Sequence, residues 1–134
     1  MTDIFINSDN ILSPIGLTTA ENFRQVKQNV SGIKLHNLTG MSEQPFQAAL
    51  FADEDFFNDL DPRNTYTRFE KLLIASIGDA LTKSDIKASD KKTVLIISST
   101  KGNISLLETE AASVSLNKRI SLNTSAKYIA DHFG

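Results

Sequence analysis

Apolar and polar positions along the chain alternate between two periods, and the switches between them mark out the elements. Ile4, Phe5 and Ile6, followed by Ile11 and Leu12, predict a short strand that runs into a turn at Pro14 and Gly16. Thr18-Thr19-Ala20-Glu21 then fits a capping box, in which a hydroxyl accepts from the third helical amide and Glu21 reaches back. The helix it opens carries Phe23, Val26 and Val30 at helical spacing and stops before Ser31-Gly32, with Gly32 expected as a left-handed cap. Residues 33–63 are less regular. Gln47–Phe51 reads as one short strand, and the acidic stretch that follows sets Asp53, Glu54, Asp55, Asp59 and Asp61 around Phe56, Phe57 and Leu60 before Pro62 ends it.

The clearest helix comes next. Phe69, Leu72, Leu73, Ser76, Ile77, Ala80 and Leu81 form one apolar stripe, and Thr67 with Glu70 offers a second capping box. A polar loop, 83–92, leads into Thr93–Ser98, a short β-rich run that is apolar on both faces, as in a strand buried between two helical layers. Lys101-Gly102-Asn103 is a turn. Leu107, Ala111 and Val114 predict one more helix, and Ser121–Phe133 another, with Ile129, Ala130 and Phe133 on one face and Gly134 as its cap. Strands and helices in alternation predict an α/β fold with a mainly buried sheet.

Composition narrows the function. At 134 residues the chain has the length of one domain, and its formal charge of -2 offers no footprint for nucleic acid. It has no cysteine, so disulfides, thiolate metal sites and a Cys nucleophile are excluded within these residues. The first ten residues lack the basic and apolar regions of a secretory peptide, and no apolar run approaches the ~20 residues of a membrane span. A cytoplasmic location without membrane attachment is expected.

Residues 7–33, NSDNILSPIGLTTAENFRQVKQNVSGI, resemble the opening of the β-ketoacyl-acyl-carrier-protein synthases. The likeness is carried by Ser13, Pro14, Gly16, Thr18, Thr19, Phe23, Ser31, Gly32 and Ile33. The helix Phe69–Leu81 resembles that family's next long helix, and LIISSTKGNISLLE the strand and glycine turn after it, with Ser99, Thr100, Lys101 and Gly102 in the turn. The order and spacing run over nearly the whole chain. The resemblance implies a thiolase-like fold, with a mixed β-sheet packed against helices, of which residues 1–134 form the N-terminal portion. It also implies the family's reaction in fatty-acid or polyketide-like synthesis. There an acyl group passes from carrier-protein phosphopantetheine to an active-site Cys, and decarboxylated malonyl-carrier protein attacks the resulting thioester.

That chemistry needs a thiolate at a helix N-terminus, an oxyanion hole and two basic residues, usually His. In the family the Cys follows a helix like Ser121–Phe133, and the His pair lies much later. No catalytic residue is therefore carried over, no bound cofactor is expected, and these residues alone are expected to be inactive. The alternative is a non-catalytic ketosynthase-like module that binds a carrier protein or dimerises. Either way, apolar surface left without the family's central elements is expected to drive homo-oligomerisation or other self-association.

Several residues carry competing readings. Arg63, Arg68 and Lys71 stand where relatives place part of the basic surface that meets the acidic acyl carrier protein; beside Asp61 and Glu70 they equally fit a solvated face. Lys101, Gly102 and Ile104 lie in the turn that the family sets near the acyl pocket and dimer interface, and also fit a plain strand-to-helix turn. His36 and His132, far apart in sequence, read as structural. The acidic stretch lacks the order of a calcium loop, so it is expected as a solvated linker with Phe56 and Phe57 inward and no metal. Ser98, Ser99 and Thr100 have no elbow motif or orienting His–Asp pair, and a hydroxyl nucleophile is not expected.

Overall fold

A computed structural model describes residues 3–38, 40–51 and 54–134 of the chain. The first helix, α1, spans Thr19–Lys27, and its N-terminus is closed by the expected box: the Thr18 hydroxyl accepts from the Glu21 amide at 3.2 Å, while the Glu21 carboxylate accepts from the Thr18 amide. Upstream, Ser13 and Gly16 exchange backbone hydrogen bonds in a tight turn. Gly32 is not the cap of α1. The left-handed residue is Asn29, at φ 56°, because the helix unwinds at Gln28 before the glycine is reached. Gly32 is held small by a neighbour instead, since a Cβ there would approach the Ile15 side chain to 2.9 Å.

The sheet is the main departure from the sequence reading. The chain is mixed α and β, but its sheet consists of two short antiparallel strands, β1 (Ile33–His36) and β2 (Phe46–Ala49), in register Ile33 to Ala49 and His36 to Phe46. β1 was not anticipated, and the strand expected at Gln47–Phe51 begins and ends slightly earlier. Neither Ile4–Leu12 nor Thr93–Ser98 is paired in a sheet, so no buried central sheet forms among the described residues. Ile4 and Ile6 are 95% and 90% exposed, and Val94 and Ile96 77% and 86%. The physical reason is that an apolar run becomes a buried strand only when a second strand satisfies its backbone. The other side of the second run is half covered: Leu95 reaches a groove whose walls include Ile77, Leu81, Ala130 and Phe133.

The helices follow the sequence more closely. α2 (Glu54–Leu60) holds part of the acidic stretch, with Phe57 buried, and stops ahead of Pro62. α3 (Arg68–Thr82) is the long helix, capped at Thr67 and Glu70 as expected. The helix expected around Leu107–Val114 is broken into α4 (Leu106–Thr109) and α5 (Val114–Arg119). Between them Glu110 is extended, and the Ser113 hydroxyl starts a new helix by accepting from the Leu116 amide at 3.0 Å. α6 (Leu122–Phe133) ends at Gly134, at φ 93°. α3 packs against α2 and α6, and α5 against α6. The apolar core there is Phe57, Ile74, Leu116 and Ile129.

Candidate functional site

The feature that organises this helical half is polar. Glu70, in the first turn of α3, is 0% exposed, and its two carboxylate oxygens receive the two terminal nitrogens of the Arg119 guanidinium at the end of α5. One of those oxygens also accepts from the Thr67 amide at 3.0 Å, so the capping carboxylate serves a second, long-range partner. Asn103 completes the cluster. Its side-chain amide donates to Glu70 at 3.2 Å, to the Arg119 carbonyl at 3.2 Å and to the Ser125 hydroxyl of α6 at 2.9 Å, and its oxygen accepts from the Thr67 hydroxyl at 2.6 Å. Gly102, at φ 52°, places Asn103 by taking a backbone conformation that disfavours a side chain. Three stretches distant in sequence, 67–70, 103 and 119–125, therefore meet at one buried carboxylate.

Burial by itself pushes the Glu70 carboxyl up. The guanidinium of Arg119, with hydrogen bonds from Thr67, Ser125 and Asn103, outweighs it and holds the group below the ordinary carboxylate value. Arg119 is raised chiefly by its hydrogen bond to Glu70, and its guanidinium also stacks on Tyr128 with 4.4 Å to the ring centroid.

Beside this cluster opens a cleft of about 500 Å³ lined by Asn64, Tyr66, Arg68, Lys71, Ser105 and Arg119, among others. A second ion pair sits in its wall. Lys71 is buried, donates to the Asn64 side chain at 3.0 Å and lies 3.9 Å from the buried Asp61, which accepts from the Tyr66 amide at 2.7 Å. Asn64, at φ 50°, makes the left-handed bend that brings its side chain to Lys71. Glu70 and Asp61 are buried behind the lining and each faces a cation and nearby amides, while the carboxylate that lines the cleft is Glu110. The arrangement suits recognition of a polar group more than proton transfer.

The structure thus brings together some of the singled-out residues and separates others. Arg68 and Lys71 line the cleft with Asn103 and Ser105 from the glycine turn. Lys71 is turned into the protein against Asp61, whereas Arg68 is exposed, its guanidinium 4.8 Å from the Phe57 ring centroid. Arg63, Lys101 and Ile104 are exposed and Gly102 half-buried, and none of these four lines the cleft. The His36 Nε2 donates to the Ala48 carbonyl across the hairpin at 3.0 Å, and His132 pairs with the Tyr66 hydroxyl at 3.2 Å. Of the acidic stretch, Asp53 lies outside the described residues, Asp59 is exposed and Asp61 belongs to the Lys71 pair. No group of three or more metal-ligating side chains occurs among the described residues.

Sequence reasoning missed Arg119 and Ser125 and read Asn103 only as part of a turn. The Thr67–Glu70 box was the one available signal, but it speaks only to the helix start. No family model matches the chain, and no curated protein or solved structure matches it either.

Proposed function

We propose that the chain forms the N-terminal part of a 3-oxoacyl-[acyl-carrier-protein] synthase, contributing scaffold and surface to a decarboxylative condensation whose nucleophile lies outside these residues. The reading rests on the ordered likeness of the Ser13–Gly16 turn, the helix capped at Thr18, the long helix capped at Thr67 and the Gly102 turn. The observation that carries it further is the apolar surface left open at Ile4–Ile6 and at Val94 and Ile96, beside helices α2, α3, α5 and α6 that pack on one another. Runs of strand-forming residues without partners are what a scaffold has when the rest of its sheet comes from other segments.

The test is the intact mass of the native gene product captured from its source cells. A species several times larger than 14.7 kDa, carrying a cysteine that takes up a thiol-directed ketosynthase inhibitor, is expected. These 134 residues alone are expected to stay unmodified. A native product of 14.7 kDa sinks the condensing-enzyme reading.

A carrier-binding surface is the second reading, favoured by Arg68 standing exposed at the edge of the polar cleft. Titration with labelled acyl carrier protein is expected to show binding that weakens with salt and is lost in Arg68→Glu, because complementary charge acts mainly on encounter and orientation. Unchanged binding in that variant removes Arg68 from the surface.

A further inference from the structure

Lys71 is the one lysine that the fold buries among the described residues, with its side chain 7% exposed. Burying an ammonium is costly unless its charge is answered and its three N–H donors find acceptors. Asp61 answers the charge from behind, but at 3.9 Å the two groups stand beyond hydrogen-bond distance. The carboxylate oxygen nearest the lysine accepts instead from the Tyr66 amide at 2.7 Å. Among the described residues the ammonium has a single hydrogen bond, to the Asn64 side chain at 3.0 Å. Donors are therefore left over, and they belong to a residue that lines the cleft, as Asp61 does not.

Arg68 stands three residues earlier on α3, so it shares the helix face of Lys71. It also lines the cleft, exposed, with its guanidinium lying against the Phe57 ring. The other cation of the lining, Arg119, is committed to Glu70, and the start of α3 is already capped by Thr67 and Glu70. From this arrangement we infer that the Lys71 side of the cleft binds a small oxyanion, the carboxylate or phosphate group of a soluble ligand, with Lys71 donating at the base and Arg68 at the mouth. An oxyanion supplies the acceptors that the buried ammonium lacks and adds charge to each bond, which water does not. The cleft, at about 500 Å³, holds more than the charged group, so the body of the ligand has room along the Thr65 and Ser105 walls. Glu110 is the one carboxylate of the lining and opposes a second anionic group, so the favoured ligand carries its negative charge at one end. The inference stands apart from the condensing-enzyme reading.

Titration calorimetry of the native gene product at constant ionic strength tests it, with inorganic phosphate, acetate and chloride as the probes. Phosphate or acetate is expected to saturate one site per chain that chloride leaves empty at the same concentration, and the tighter of the two names the group recognised. Arg68→Gln and Glu110→Gln change exposed side chains, so folding is spared. Arg68→Gln is expected to weaken the site about tenfold by removing a charge-assisted donor. Glu110→Gln is expected to tighten it about twofold by removing a like charge. Lys71→Met together with Asp61→Asn takes away the buried pair as a unit, keeps an acceptor for the Tyr66 amide, and is expected to abolish binding. The lack of any saturable oxyanion site overturns the inference, and so does a site that neither Arg68→Gln nor Glu110→Gln moves. Binding that survives in the double variant removes Lys71 from the site and overturns it as well.

Discussion

Arg119→Met is expected to destabilise the chain by about 3–5 kcal/mol at neutral pH, the cost of leaving a buried carboxylate without its partner. The methionine keeps most of the volume, so the loss reports charge and hydrogen bonding more than packing. Glu70 is fully buried, and the remaining donors to it, Thr67, Asn103 and Ser125, are neutral. The dependence on pH separates this from a simple packing defect. In the unaltered chain the Glu70 carboxyl lies below its ordinary value, so its contribution is present above the unfolded-state value and is lost as pH falls through the folded one. In the variant, burial acts unopposed by the guanidinium and raises the group. Its protonated form is then favoured in the folded state, and the penalty shrinks as the solution is acidified. Urea denaturation followed by circular dichroism at a series of pH values should therefore show a stability gap that is widest near neutrality and narrows below about pH 4–5. A gap independent of pH would mean that Glu70 is not held charged by Arg119. Removing both charges, with Glu70→Leu and Arg119→Met together, should recover only part of the loss, because the Thr67 amide and the Asn103 side chain lose their acceptor.

The second large effect is expected at Asn22, the one buried residue of α1. Its side-chain amide donates to the carbonyls of Ile11, Gly16 and Thr18, each at 2.8 Å, and its oxygen accepts from the Ser13 hydroxyl. The Ser13–Gly16 turn is thereby fastened to the helix that follows it. Asn22→Leu is expected to cost roughly 2–4 kcal/mol, since the Ile11 carbonyl and the Ser13 hydroxyl are left without this partner. Asn22→Asp should be at least as damaging, because it sets a carboxylate oxygen against the same three carbonyls. The ranking is read from thermal and urea unfolding of both variants. If Asp is tolerated as well as the native amide, the side-chain nitrogen is not the fastening group. Gly16 offers no room for compensation: a Cβ there would meet the Glu21 Cβ at 2.8 Å and the Asn22 amide at 2.9 Å.

What could be read from the sequence follows the range of the interactions. α1 and α3 are specified within a few residues by their N-terminal caps, α6 by its stripe and the glycine that stops it, and both capping boxes have the geometry their spacing implies. Gln47–Phe51 is a strand shifted slightly earlier, whereas the first and last runs were misjudged because composition marks a segment that favours pairing, and the partner is not encoded within it. Ile33–His36 pairs although its side chains are mostly exposed, and Val94–Ile97 does not although its residues are better strand formers. The polar cluster was out of reach for a similar reason. Glu70 lies 33 residues from Asn103 and 49 from Arg119, and nothing local distinguishes these residues from solvated ones. Lys71 shows the same limit within a recognised group: its neighbours in sequence suggested an exposed basic face, and a buried Asp61 draws it inward.

The composition of the interior bears on how stability changes with temperature. Among the described residues, six polar or charged side chains are buried, Asn22, Asp61, Glu70, Lys71, Asn103 and Ser125, against four large apolar ones. Unfolding hydrates amides, carboxylates and hydrocarbon together, and polar and apolar exposure change the heat capacity in opposite directions. The heat-capacity increment of this chain should consequently fall below the ~12–15 cal/mol/K per residue usual for globular proteins. Its stability curve is then a low, broad arch: the chain loses little on cooling, and its thermal transition spreads over a wide interval.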